Sequence, residues 1–176
     1  MTISIRKAQP RDVPAIVALN DSEVPHVGRW RRNPFESQRP AEEIMLVAKT
    51  GERLVGLILA MTPDADYDSP NFIWFRGRVA DLLYVDRIVV APGVRGHGVG
   101  RRLYAGVSAL APPNLKRIGC EVNVLPPNPK SMDFHTALGF GEAGRQPLIP
   151  GRYEVAYLVC EGTAFLELKG AADTIA

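Results

Sequence analysis

Val94 to Tyr104 read VRGHGVGRRLY, three glycines and three arginines in eleven residues, directly after the β-branched run of YVDRIVV. No other stretch limits the fold so strongly. The run before it favours an extended strand, the glycines end that strand, and Leu103, Val107 and Leu110 at i, i+4 and i+7 start a helix with one apolar face. Such a helix needs a sheet to pack on. A strand that ends where a helix begins aims several backbone N–H groups and the positive end of a helix dipole at one place, which suits phosphate. Gly96, Gly98 and Gly100 let the backbone approach an anion, and Arg95, Arg101 and Arg102 can add charge-assisted contacts. The plainer alternative is a tight loop before a solvated helix start. Two familiar phosphate loops do not fit the letters. A P-loop needs Lys-Ser or Lys-Thr after its last glycine, where Gly100 is followed by Arg101. The dinucleotide pattern GxGxxG, counted from Gly96 and Gly98, puts Arg101 at its third glycine.

The rest of the chain reads as alternating strands and helices. Ile3 and Ile5 mark a short strand, and Asp12 with Pro14 opens a helix carrying Val13, Ile16, Val17 and Leu19. The Arg- and Pro-rich stretch from Asn20 to Glu43 predicts one or two short helices. EIMLVAK and RLVGLILAM, separated by Thr50, Gly51 and Glu52, predict a tight hairpin. Thr62 to Leu82 reads as a long connection, unusual in its Tyr67, Phe72, Trp74 and Phe75. RIGCEVNV is a further strand. NPKSMDFHTALG is a helix with Asn128 as N-cap, Pro129 at its first position and Gly139 as its stop. RYEVAYLVC closes the sheet, and its apolar edges would support a homodimer. One domain is expected over 1–165, with 166–176 as a frayed tail.

Composition narrows the function classes. A chain of 176 residues with 46% hydrophobic content can bury a full core. A net charge of +2 is too small to suggest general attraction to nucleic acid. Cys120 and Cys160 lie in apolar runs without metal-ligand spacing, and His26, His97 and His135 are widely separated, so no metal site is expected. No signal-like segment opens the chain and no apolar run approaches about 20 residues. A cytoplasmic, membrane-free protein is the expectation.

Arg95-Gly96-His97-Gly98-Val99-Gly100 resembles the acetyl-coenzyme A signature of the GNAT N-acetyltransferase superfamily, Arg/Gln-x-x-Gly-x-Gly/Ala. NPKSMDFHTALGF resembles its second signature, an Asn-led helix ending in Leu-Gly-Phe, and the order of elements from Ile3 to about Cys160 is similar throughout. The resemblance implies an α/β (α+β) fold, with a central mixed, mostly antiparallel sheet flanked by helices. It implies acetyl-CoA as cosubstrate, transferred by direct attack of a primary amine of a small metabolite or amino acid. It places the pyrophosphate on Arg95, Gly96, His97, Gly98, Val99, Gly100 and Arg101. The pantetheine arm would lie along the backbone of Ile88, Val89 and Val90, with an N–H near Val89 or Val90 holding the thioester oxygen. Asn128 and Ser131 would bond the pantetheine or cap their helix.

The attacking amine must be neutral, and with a reference pKa near 10.4 only about one part in 2,500 is so at pH 7, a cost of roughly 4.6 kcal/mol. Asp86 and Glu121 are the candidate bases, each also readable as a salt-bridging strand-end carboxylate, and bulk water is a third option. Many relatives reprotonate the thiolate with a Tyr at the position held here by His135, so an imidazolium there is the candidate acid, against a His that merely packs. Tyr67, Trp74 and Phe75, beside Asp64, Asp66 and Asp68, could offer a cationic acceptor charge and aromatic faces, or form a solvated acidic turn on a hydrophobic anchor. The competing functions are a CoA-binding module without catalysis and an ATP- or NAD-binding protein.

Overall fold

The computed structural model describes residues 2–30 and 43–171. Half of the Asn20–Glu43 stretch, residues 31–42, lies outside them, and the expectation of one or two short helices there falls on that half as well. In chain order the elements are β1 (Ser4–Lys7), α1 (Val13–Asp21), β2 (Glu43–Thr50), β3 (Arg53–Met61), α2 (Pro70–Arg76), β4 (Leu82–Val90), α3 (Val99–Leu110), β5 (Arg117–Leu125), α4 (Pro129–Ala137), β6 (Gly141–Ile149), β7 (Tyr153–Cys160) and α5 (Gly162–Gly170). They build one seven-stranded sheet in the order β1-β2-β3-β4-β5-β7-β6. Only β4 and β5 are parallel neighbours; the other pairs run antiparallel.

Helices cover both faces, so β2 and β3 read as continuous apolar runs where a one-sided sheet would alternate. On one face Leu103 and Val107 of α3 and Phe165 and Leu168 of α5 pack on Ile58, Leu83 and Ile118. On the other, Ile16 of α1 and Phe72 and Phe75 of α2 pack on Leu57, Tyr84 and Tyr157. Each fully buried leucine or phenylalanine of this kind contributes about 1.5–3 kcal/mol.

Four expectations need correction. The Thr62–Leu82 connection contains α2, whose Pro70 occupies a first-turn position after Ser69. Gly141–Ile149 is a strand, β6, and it takes the sheet edge. Because β7 is paired on both sides, the apolar edge expected to support a homodimer does not exist there. The tail boundary at 165/166 cuts through α5, whose Leu168 is buried because it packs against the α3 face.

The sheet is split in its middle. β4 and β5 pair through four residues only, from Leu82↔Arg117 to Val85↔Cys120, while β4 continues to Val90 and β5 to Leu125. A register shift against β3 lies at the same place: Leu59 faces Arg87 and Ala60 faces Val85, leaving Asp86 as the extra residue of a bulge. Such a bulge bends a strand and re-aims its side chains. Beyond it the inner edge of β4 has no strand partner.

Candidate active site

The split opens a cleft of about 840 Å³, within the range of small-molecule sites. β4 forms one wall, β5 and α4 the other, and the glycine loop the floor at one end. Ala91 N–H bonds the Val55 carbonyl at 2.9 Å. Antiparallel alternation then turns the Val89 N–H toward β3 as well, while Ile88 and Val90 present theirs to the open edge. Of the two residues considered for the thioester oxygen, Val90 has the suitable direction and Val89 does not.

Gly96 and Gly98 have φ of 80° and 76°, and a Cβ on either would meet nothing within 4 Å. They serve backbone conformation and open approach. Gly100 is different: a Cβ there would lie 2.7 Å from Phe134 Cζ, so it is bare to let α4 dock on α3. Gly98 is the N-cap of α3, and the first-turn N–H groups that follow have no partner inside the helix. Arg101 and Lys130 also line this end. Ile88, Val90, Gly96, Gly98, Val99, Gly100, Arg101, Asn128 and Ser131 all line the cleft, so the residues present fit a pyrophosphate on a pantetheine-like arm.

Two loop residues depart from expectation. His97 is exposed and outside the cleft wall, its Nδ1 donating to the Arg95 carbonyl at 3.0 Å; the loop's turn between two left-handed glycines points it away. Arg95 lines the cleft, but its guanidinium is already engaged with Glu23 at 2.7 Å and the Val90 carbonyl at 2.9 Å. Asn128 caps α4, accepting from Ser131 N–H at 3.3 Å.

The opposite end is acidic. Asp86 and Glu121 leave neighbouring strands at the point where the sheet divides. Both oxygens of Asp86 are held, Oδ1 by Tyr67 Oη at 2.8 Å and Oδ2 by Arg87 Nε at 2.9 Å. Glu121 Oε2 accepts from Tyr84 Oη at 2.9 Å, and the Asn71 amide also bonds the carboxyl. Burial, with the Asp86 charge adding to it, pushes Glu121 up to about 8 against the hydrogen bonds from Tyr84 and Asn71. A carboxyl poised near neutrality beside a split sheet can exchange protons.

His135 is not the expected imidazolium. It is 2% exposed, and burial pushes it down to about 4. Nδ1 lies 2.7 Å from the Ser131 carbonyl and so carries the hydrogen, leaving Nε2 to accept from Tyr104 Oη at 2.7 Å. Both nitrogens are spent within the fold. Trp74 and Phe75 do not line the cleft: Phe75 is a buried core residue, and Trp74 stacks on Tyr157 at 4.0 Å and covers Gly144. Their aromatic area is used to dock α2. Asp64, Asp66 and Asp68 are exposed, a solvated turn, and Tyr67 reaches the site only through Asp86. Asn71, Tyr84, Asn123 and Tyr153 are site residues that sequence reasoning missed. Only the Ser-Pro before Asn71 marked a structural element there.

The chain matches a family of known proteins. Residues 13–140 match the Acetyltransferase (GNAT) family. The chain belongs to the GNAT acetyltransferase family. It is 28% identical over 153 residues to the peptidyl-lysine N-acetyltransferase YjaB of Salmonella typhimurium, covering 82% of this chain and 88% of that one. Its fold is similar to the ribosomal-protein-S18-alanine N-acetyltransferase from Escherichia coli, with TM-score 0.65, 17% identity, and 91% and 94% of the two chains covered. A variant of the spermidine N-acetyltransferase SpeG from Vibrio cholerae matches with TM-score 0.65, 21% identity, and 93% and 96% covered. Among the described residues no helix is long and apolar enough to cross a membrane.

Proposed function

We propose that this GNAT protein transfers the acetyl group of acetyl-CoA to a primary amine of a small metabolite or amino acid. The carrying observation is the Glu121 carboxyl, held near neutrality at the mouth of the split between β4 and β5. Bound acetyl-CoA supplies an activated thioester. Glu121 takes a proton from the incoming ammonium at a carboxylate oxygen. Transfer from an amine of pKa near 10.4 to an ordinary carboxylate is uphill by about 8 kcal/mol, but to a group at about 8 by only about 3. Being one part in eleven ionised at pH 7 costs about 1.4 kcal/mol, so burial still leaves a gain of about 3 kcal/mol. The Val90 N–H donates to the carbonyl oxygen as negative charge develops there. As the C–S bond breaks, the protonated Glu121 matches a thiol near 8.5 and returns its proton to the departing sulfur, while the adduct nitrogen loses its second proton to water, so that amide, free thiol and one proton are released. Asp86, with both oxygens held, keeps Glu121 high and is not the base.

The relative YjaB carries peptidyl-lysine in its name, and a lysine side chain offers the same primary amine, so a lysine peptide is the second acceptor to test. The protein is incubated with acetyl-CoA and a panel of amino acids, polyamines and a lysine peptide, and free thiol is followed. Release with at least one amine is expected. CoA binding without release from any amine would favour a non-catalytic module, and thermal stabilisation by ATP or NAD but not by CoA would overturn the donor assignment.

A further inference from the structure

One ion pair within the cleft lining joins the glycine loop to the segment after α1. Arg95 reaches out of the glycine loop, with Nη2 2.7 Å from Glu23 Oε1. Glu23 follows α1, lines the same cleft, and is 19% exposed, while the Arg95 side chain is 41% exposed. The segment carrying Glu23 has separate anchors. Arg87 Nη1 donates to Asn20 Oδ1 at 2.9 Å and to the Gly28 carbonyl at 3.1 Å, and its guanidinium lies 4.5 Å from the Trp30 ring centre. Asn20 Nδ2 also donates to that carbonyl at 3.0 Å. Breaking the Glu23–Arg95 pair therefore leaves the cleft wall standing.

We propose that Glu23 occupies Arg95 in place of the donor's pyrophosphate, and that loading of the donor exchanges the pair and frees the Glu23 carboxylate on the acceptor wall. The inference rests on the acetyl-CoA reading above. A diphosphate outcompetes a single carboxylate because it carries more charge and gains the first-turn N–H groups of α3. The freed carboxylate then lines the same cleft as Asp86 and Glu121. That adds negative charge where a cationic acceptor must enter. The donor thus prepares the site for a positively charged amine, and Glu23 becomes a determinant of both binding order and acceptor charge.

The test is CoA affinity by titration calorimetry for the wild type, Glu23→Gln, Arg95→Ala and the double variant, with melting curves confirming each fold. Glu23→Gln is expected to tighten CoA binding about two- to fivefold, the range of a partly exposed ion pair. On the Arg95→Ala background the same change is expected to do nothing. Glu23→Ala, which removes the carboxylate with a different shape, should reproduce both results. Unchanged or weaker CoA binding in Glu23→Gln overturns the exchange. Equal tightening in both backgrounds also overturns it, since that would be repulsion through space. A wild type that does not bind CoA at all would instead overturn the donor assignment.

Discussion

Replacing Glu121 by Gln should damage activity and raise stability together. Gln keeps the shape and still accepts from Tyr84 Oη, but it cannot take a proton from the amine. Loss of a positioned base costs about 10²–10⁴-fold in rate, or roughly 3–5 kcal/mol of barrier. The stability effect has the opposite sign. Glu121 rises from an ordinary 4.5 to about 8 on folding, so the folded chain holds its proton more tightly than the unfolded one. The resulting stability is fully present below pH 4.5 and is lost as pH rises through about 8. Its ceiling is about 5 kcal/mol at 1.36 kcal/mol per pKa unit, and the partial exposure of the side chain to the cleft keeps the real figure lower. Near pH 9 the Gln variant should therefore melt several degrees above the wild type, at about 2–4 °C per kcal/mol for a chain of this size. Near pH 4.5 the two should nearly coincide. The assays are initial rates of thiol release with the best acceptor across pH 6–9, and scanning calorimetry at both pH values. In the wild type, kcat/KM should show a break near 8 that the variant lacks. Wild-type rates in Glu121→Gln, or a lower melting temperature at pH 9, would refute the assignment.

His135 should show the neutral Nδ1–H tautomer by ring-nitrogen NMR from pH 8 down to about 5, and an imidazolium signal at pH 6 would overturn that. Because its folded pKa is depressed to about 4, its share of stability is complete above about 6.5 and is lost as pH falls toward 4. Leu168→Ala should cost about 2–5 kcal/mol, measured by urea unfolding, since Leu168 is 1% exposed in the α3–α5 cluster. A protein ending at Phe165 that melts like the full chain would refute the role given to α5.

The strand, glycine loop and helix around Val94–Tyr104 were readable because each property there is local: β-branching, missing side chains and an i, i+4, i+7 stripe. The same holds for α4, which Asn128, Pro129 and Gly139 punctuate. β6 was not readable, because GEAGRQPLI serves as a largely exposed edge with little apolar content. The roles of Trp74 and Phe75 depend on which surface α2 covers, a long-range fact that an aromatic-rich loop does not carry. His135 could be found as the residue in the Tyr position, but its charge state depends on Ser131 and Tyr104 closing around it. Glu121 was nameable from its strand, while its raised pKa comes first from burial and then from the Asp86 charge that the bulge and the split bring alongside.

That split has a mechanical meaning. The four pairs between β4 and β5 are the sheet's only ladder across the seam, and α3 and α5, packed on each other in one shared core, close the two halves on one face. A molecule lying along the inner edge of β4 takes the hydrogen bonds that a further length of strand would have taken. An acetyl-CoA arm bound as proposed would supply the missing part of the sheet from outside, through backbone groups that any side chain at Ile88 or Val90 would present equally. Substituting the side chains of Ile88 or Val90 would leave those backbone groups in place, whereas Glu23 and Arg95 tie the glycine loop to the segment after α1 through their side chains.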